Sequence, residues 1–298
     1  MTSESGKYPP WLLQKAPDPH LLEKMKGLLD ALSLHTVCES AQCPNQGQCF
    51  SDGTATFLIM GDVCTRNCGF CGIDKGHPPP LDPLEPQNVA HAVGALRLKH
   101  VVVTSVTRDD LSDGGASHFA RTIEAIRLGH PDAVIEVLVP DFQGSLDALR
   151  TVADSGADII GHNIETVPSL YHRLRPEADY HRSLRLLETA KSTSNDIVTK
   201  SGIMLGLGEG KYEVLGVMQE LLNADCDCLT IGQYLPPSPK HYPLSRYVRP
   251  AEFEELRETG VRMGFKAVFS APLVRSSFMA QDTYREALGK GNQGGYQA

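Results

Sequence analysis

Six apolar runs, each followed by a stretch of helical period, constrain this chain more than any other feature. The runs cover 54–60, 100–106, 133–139, 158–164, 197–205 and 228–234. The helical patterns cover 86–98, 116–128, 145–155, 180–192, 212–224 and 251–263. Strands that are apolar throughout are buried on both faces, so the alternation predicts an α/β fold with a parallel sheet under helices. Six units are too few for a closed eight-stranded barrel, which leaves an open or partial barrel or a doubly wound sheet. In either case ligands gather at the carboxyl ends of the strands. Residues 267–270 offer one more short strand, and apolar spacing predicts a helix over 19–32. The implied division is an N-terminal extension over 1–53, a barrel over 54–270 and a C-terminal segment over 271–298.

The cysteines fall where that fold puts ligands. Six of the eight lie between 38 and 71, as Cys38, Cys43 and Cys49 (C-x4-C-x5-C) and as Cys64, Cys68 and Cys71 (C-x3-C-x2-C). The second triplet follows the first strand directly. Structural zinc and iron–sulfur cubes normally take four protein ligands, so groups of three leave a coordination position for something else. A disulfide framework suits short secreted chains, whereas this one has 298 residues and its MTSESGKYPP start has no apolar signal core. Neither triplet has the paired C-x2-C or His spacing of common zinc sites, so iron–sulfur is the favoured reading and zinc the runner-up. Cys226 and Cys228 read as core or near-surface thiols.

Composition narrows the remaining classes. No apolar run is long enough to span a membrane. A net charge of −8 argues against broad nucleic-acid binding. With reduced cysteines the expected location is the cytoplasm. Gly206-x-Gly208 lacks the rest of a phosphate loop, and His91 and His162 read as structural.

Cys64-x3-Cys68-x2-Cys71 in a loop after the first strand, with Phe70 before the last cysteine, resembles the radical S-adenosylmethionine (SAM) superfamily. That likeness implies a partial (β/α)6 barrel. More of the chain, from about 36 to 284, resembles the lipoyl synthase family within it. The carriers are the first triplet, TRDDLSDGGA (107–116), HNIET (162–166), KSGIMLGLGE (200–209), GQYLPPSPKHYPLSRYV (232–248) and Arg275-Ser276-Ser277-Phe278, similar to an R-S-S-Y motif. Phe278 stands for the usual Tyr, and Gln48 and Phe50 flank Cys49 where Glu and Trp are expected.

The resemblance implies two [4Fe–4S] clusters with SAM as cosubstrate. Cys64, Cys68 and Cys71 would hold the first. Cys38, Cys43 and Cys49 would hold the second, with Ser277 as its unusual fourth ligand. The implied reaction inserts two sulfur atoms, at C6 and C8 of an octanoyl group on a carrier-protein lysine. No side-chain base removes such an alkyl proton, so a cofactor-borne radical is the physical way in. Ser277 and Arg275 are expected to act in the chemistry; position alone would make Ser277 a helix cap. Expected around SAM are Thr107, Arg108, Asp109, Gly114, Gly115, Asn163, Glu165, Arg173, Arg175, Lys200 and Ser201. A Lys inside an apolar strand needs an anionic partner, and the arginines have Glu177 and Asp179 as alternative partners. Expected partners are an octanoylated lipoyl domain (2-oxoacid dehydrogenase E2 or glycine cleavage H protein), a ferredoxin or flavodoxin reductant and an iron–sulfur carrier. Lys240, Arg246 and Arg249 are candidates for meeting an acidic carrier. The rivals are another radical SAM sulfur-inserting enzyme and a non-catalytic iron–sulfur or zinc protein.

Overall fold

The computed structural model describes residues 8–13, 18–40, 43, 45, 49 and 56–290. The expected strand residues Thr54 and Ala55, and the departures Gln48 and Phe50, lie outside them. Parallel strands β2 (Thr56–Ile59), β5 (His100–Ser105), β6 (Val134–Leu138), β7 (Ile159–Gly161), β8 (Val198–Leu205), β9 (Cys228–Gln233) and β10 (Ala267–Ser270) stand side by side in chain order. A doubly wound sheet reverses its strand order at a switch point. This order never reverses, and right-handed crossovers then place the helices that connect these strands on one side. The result is a barrel-like wall, open because β10 and the other edge do not pair. Two short strands stand apart from it, β3 (Val63–Cys64) and β4 (Asp74–Lys75), and their pairing closes the base of the loop between them.

Each predicted strand–helix unit is present, with ends shifted by no more than about three residues. The short strand expected over 267–270 is present as the seventh parallel strand, paired with β9. Residues His35–Thr36 form a strand that no period signals, β1, which pairs antiparallel with β2 and extends that edge. A further helix, α6 (Pro168–Leu174), follows β7; it starts at a proline, whose fixed φ suits a first turn.

The other helices are α1 (Pro19–Ala31), α2 (Val37–Ser40), α3 (Glu85–Leu96), α4 (Ala116–Gly129), α5 (Leu146–Ala153), α7 (Tyr180–Thr193), α8 (Lys211–Asn223), α9 (Pro250–Met263) and α10 (Ala280–Ala287). Ser145 and Asp179 cap α5 and α7 by accepting backbone N–H bonds from Ala148 and Arg182. The helices bury one face against strands whose own side chains are almost wholly covered, such as Phe57, Ile59, Val101, Val103, Ile135, Leu229 and Ile231. No helix among the described residues is long and apolar enough to cross a membrane.

Candidate active site

The chain turns sharply at the end of β2, and that turn builds the first cysteine site. Met60 takes a left-handed φ of 67°. Its N–H donates to Glu85 Oε2 at 2.8 Å, and its carbonyl accepts from Arg108 at 3.3 Å. Glu85 is held in turn by buried His118 at 2.6 Å. Beyond the turn lies the loop carrying Cys64, Cys68 and Cys71. Arg66, inside that loop and 4% exposed, forms two bonds to Asp109 at 2.6 and 2.9 Å and one to Asp141 at 2.6 Å. Burial works against the Arg66 charge, yet its two carboxylate partners hold the guanidinium firmly protonated. Burial likewise opposes the Asp141 charge, and Arg66 overrides it, bringing that carboxyl to about 2.

The loop is also clamped from the far side of the barrel. Gly69 N–H donates to Leu174 O and Tyr242 N–H to Gly69 O, each at 2.8 Å. His241 Nε2 lies 3.1 Å from Cys71 O. Burial is the main reason that the Cys68 thiol is pushed up to about 12, with Arg175 opposing. Burial raises Cys71 too, with Glu165 adding to the rise. Arg175, Glu165, Cys68 and Cys71 therefore share one electrostatic neighbourhood.

Asn163 and Glu165 follow β7 and face this loop. Glu165 has a left-handed φ of 69°, and desolvation raises its carboxyl despite Arg175 and Asn163. Arg175 donates to Asn163 O at 2.9 Å and to Tyr171 Oη at 2.8 Å, leaving its buried Nε without a partner. An orphaned buried donor beside a cysteine loop is what an anionic ligand group would fill.

The site of Cys38, Cys43 and Cys49 is assembled from two distant stretches of chain. Cys38 lies in α2, and the N–H of Cys43 donates to its carbonyl at 3.0 Å. Cys49 N–H donates to Asn45 O at 2.9 Å, and buried Asn45 donates to Leu273 O at 2.6 Å. Thr56 joins both stretches. Its N–H bonds the Cys38 thiol, and its hydroxyl donates to Ser277 Oγ at 2.8 Å. Burial pushes the Cys38 thiol up to about 12, with Cys43 and Cys49 adding to it. Burial lowers Arg275, opposed by Cys43, so its guanidinium stands by the same group.

The expectations for single residues divide. Asn163, Glu165 and Arg175 gather at the Cys68 edge. Thr107 lies at the cysteine loop, its N–H reaching Cys64 Sγ at 3.4 Å. Asp109 meets the loop twice: its carboxylate holds Arg66, and its N–H donates to Thr65 Oγ1 at 3.1 Å. The structure places the other six residues as follows. Arg108 is spent on Asp110 and Met60 O. Lys200 donates to Glu136 Oε1 at 2.8 Å, a carboxylate that also meets His100, so its anionic partner is internal. Ser201 bonds the backbone of His162 and Ile164. Gly114 and Gly115 meet protein: a Cβ on Gly115 would stand 2.3 Å from Met60 Sδ and one on Gly114 3.0 Å from Phe142. Arg173 is exposed on α6.

Glu177 accepts from Asn67 N–H and Asp179 caps α7, so neither occupies the arginines. Ser277 is no helix cap: Met279 precedes α10 without a side-chain cap. His162 is structural as expected, while His91 is exposed. Cys226 and Cys228 are buried. Glu209 fills the Gly206 turn itself, accepting from Gly206 and Leu207 N–H at 2.7 and 2.8 Å. Arg246 and Arg249 both lean on Glu252. Residues that sequence reasoning did not single out are Arg66, Asp141, Asn45, Thr56 and His241.

Backbone N–H groups aim at the thiols: Arg66 and Thr107 at Cys64, Ile73 at Cys71, Thr56 at Cys38. Such donors favour anionic sulfur and tune iron–sulfur sites. Among the described residues no three His, Cys, Asp or Glu close around a single ion. An iron–sulfur cube spreads its ligands over separate corners, and the donor set suits one.

Comparison with known proteins agrees with this geometry. Residues 58–221 match the radical SAM superfamily. A lipoyl synthase of Caldanaerobacter subterraneus is 57% identical over 259 residues, 87% of this chain and 91% of that one. Lipoyl synthases of Alkaliphilus metalliredigens and Nitratidesulfovibrio vulgaris are 53% and 54% identical, over 92% and 95% of this chain and 94% of each of theirs. Among solved structures, methylornithine synthase matches with a TM-score of 0.55 at 15% identity, covering 72% of this chain and 71% of that one. The [FeFe]-hydrogenase maturase HydG matches at 0.58 and 15%, covering 94% and 62%. Those two likenesses speak for the fold.

Proposed function

The chain belongs to the lipoyl synthase family of the radical SAM superfamily, and from that premise we propose a division of labour between its two cysteine triplets. The activity is insertion of sulfur at C6 and C8 of an octanoyl group on a carrier-protein lysine. Cys64, Cys68 and Cys71 hold one [4Fe–4S] cluster, and Cys38, Cys43, Cys49 and Ser277 hold the other. Bound there, the two clusters supply a low-potential electron to SAM and sulfide to the substrate.

The rest is the work of this chain's own residues. Asp109 and Asp141 fix the cysteine loop through Arg66. Asn163, Glu165 and the unpartnered Nε of Arg175 bind the polar groups of SAM. Arg275 offsets negative charge beside Cys43. Ser277 would offer an oxygen ligand, harder than thiolate and less suited to iron–sulfur, which would make it the most weakly held of the four and suit a cluster that gives up sulfide. The bond pair at Thr56 carries this reading, because one residue touches Cys38 through its N–H and Ser277 through its hydroxyl. If Ser277→Cys supported both insertions at the unsubstituted rate, release by a weak oxygen ligand would be excluded.

The finer reading follows the same logic. The acyl carrier is a 2-oxoacid dehydrogenase E2 lipoyl domain or glycine cleavage H protein. The electron comes from a ferredoxin or flavodoxin, and an iron–sulfur carrier rebuilds the consumed cluster. The setting is cytoplasmic. Residues 1–53, 54–270 and 271–298 act as cluster-bearing extension, barrel and ligand-bearing tail. The test is anaerobic reconstitution with SAM, dithionite and an octanoyl-lysine peptide. Mass spectrometry should find two added sulfurs together with 5′-deoxyadenosine. Protein holding both clusters that yields neither product, on the peptide or on a whole lipoyl domain, would contradict the reading.

A further inference from the structure

The two cysteine sites are joined by one side chain. The Asn163 amide donates to Glu165 Oε1 at 3.1 Å and to Ser276 Oγ at 2.6 Å. Glu165 lies at the edge shared by Cys68 and Cys71. Ser276 precedes Ser277, whose hydroxyl accepts from Thr56. Asn163 has little freedom of its own. Its carbonyl is held by Arg175 at 2.9 Å. A Cβ on Gly202 would stand 2.8 Å from its Oδ1, so β8 confines the amide closely. Two N–H groups on one nitrogen therefore hold a carboxylate at one site and a hydroxyl at the other.

Resting on the assignment of these sites above, we propose that Asn163 and Ser276 form a positioning pair that couples filling of the SAM edge to the seat of Ser277. A donor supplied to Glu165 by the bound ligand weakens the carboxylate's pull on the Asn163 amide. The amide then gives more of its hydrogen-bonding strength to Ser276, and the segment bearing Ser277 tightens. When the ligand leaves, the pull is shared again and the segment loosens. The two serines thus act differently, Ser277 facing the cluster and Ser276 reporting to it from the neighbouring site.

The test uses the holoenzyme and S-adenosylhomocysteine, which resembles SAM but yields no radical. Hydrogen–deuterium exchange is followed at amides 276–278, with ligand occupancy checked by equilibrium dialysis. In the unsubstituted enzyme the ligand should slow exchange there by about threefold to tenfold, the worth of one neutral hydrogen bond. In Ser276→Ala the slowing should vanish at equal occupancy, and Ser276→Thr, which keeps the hydroxyl, should restore it. Sulfur inserted per deoxyadenosine should fall in Ser276→Ala and recover in Ser276→Thr. Equal slowing in the unsubstituted enzyme and Ser276→Ala, or none in either, overturns the coupling. Ser277→Ala holoenzyme tests the underlying assignment separately. If it retained all auxiliary iron and transferred sulfur normally, Ser277 would not be a ligand, whatever happened at 276–278.

Discussion

The loop of Cys64, Cys68 and Cys71 and the triplet of Cys38, Cys43 and Cys49 are built in opposite ways. The first grows from one strand end, and the barrel surrounds it: Arg66 is bound by Asp109 and Asp141, and the loop backbone by Leu174, Tyr242 and His241. The second depends on residues more than 200 positions apart meeting at Thr56 and Asn45. A site made by barrel ends is rigid by construction. A site closed by a tail, with Ser277 as the proposed fourth ligand, is one that can open. The contrast suits a cluster that is kept beside one that is consumed.

Cysteine substitutions should separate the sites most sharply. Cys68→Ala should abolish deoxyadenosine formation, a loss of at least about a thousandfold, because no other route to the alkyl C–H bond exists. Cys43→Ala should retain deoxyadenosine formation and lose sulfur on the peptide. Chromatography of the nucleoside and mass spectrometry of the peptide read the two outcomes. Equal loss of both products in both variants would erase the distinction.

Two glycines should divide the sites next. A Cβ on Gly232 would stand 2.0 Å from Val274 O. Gly232→Ala must push the Arg275–Ser277 segment off β9, and the overlap with backbone should cost about 3 kcal/mol or more unless the tail detaches. Auxiliary iron should be lost while radical-site iron stays. Gly115→Ala drives a Cβ into Met60 at a φ of 88° and should do the reverse, disturbing the turn into the first cysteine loop. Iron content and Mössbauer spectra of each variant measure which cluster is missing.

Asp141→Ala sharpens the comparison energetically. It removes one of the two carboxylates that hold buried Arg66, leaving Asp109, and should cost about 2 kcal/mol, the worth of a hydrogen bond to a charged group. Chemical denaturation gives the loss, and the variant should also retain less radical-site iron. A loss well under about 1 kcal/mol would mean that the loop does not depend on this pair.

A pH dependence is expected from His162, whose ring bonds Val139 O and Ser183 Oγ beside Asn163 in the chain. Burial, with Arg175 adding, lowers this imidazole from 6.5 to about 4. The neutral form is favoured in the folded state, so its contribution is full above about pH 6.5 and lost as pH falls towards 4, up to about 3 kcal/mol. Stability of the unsubstituted protein should drop across that window more steeply than that of His162→Gln. Parallel curves would assign the drop to other groups.

The barrel was legible because its strands are apolar throughout and its helices periodic, signals that are local in the chain. β1 was not: two residues, His35 and Thr36, carry no period, and their strand character comes from pairing with Phe57 and Leu58. The proposed cysteine ligands stand out by their spacing, and Asn163 and Glu165, which the structure brings beside Arg175, by their place at the end of a predicted strand. Lys200 misled for a physical reason. A buried lysine announces an anion, but nothing local distinguishes a ligand from Glu136, which lies two strands away. Asp141, Asn45 and Thr56 act through long-range contacts that leave no pattern nearby. Gly232, in contrast, lies in a matched motif and shows its purpose only once Val274 crosses it.

The most direct measurement follows the origin of the inserted sulfur. The protein is reconstituted with heavy-isotope sulfide, freed of excess, and taken through one turnover with octanoyl-lysine peptide in buffer containing ordinary sulfide. The account predicts a product carrying two heavy sulfurs, together with loss of the iron held by Cys38, Cys43 and Cys49 and retention of that held by Cys64, Cys68 and Cys71. Product carrying ordinary sulfur, or heavy product with the auxiliary iron intact and the radical-site iron lost, would contradict it.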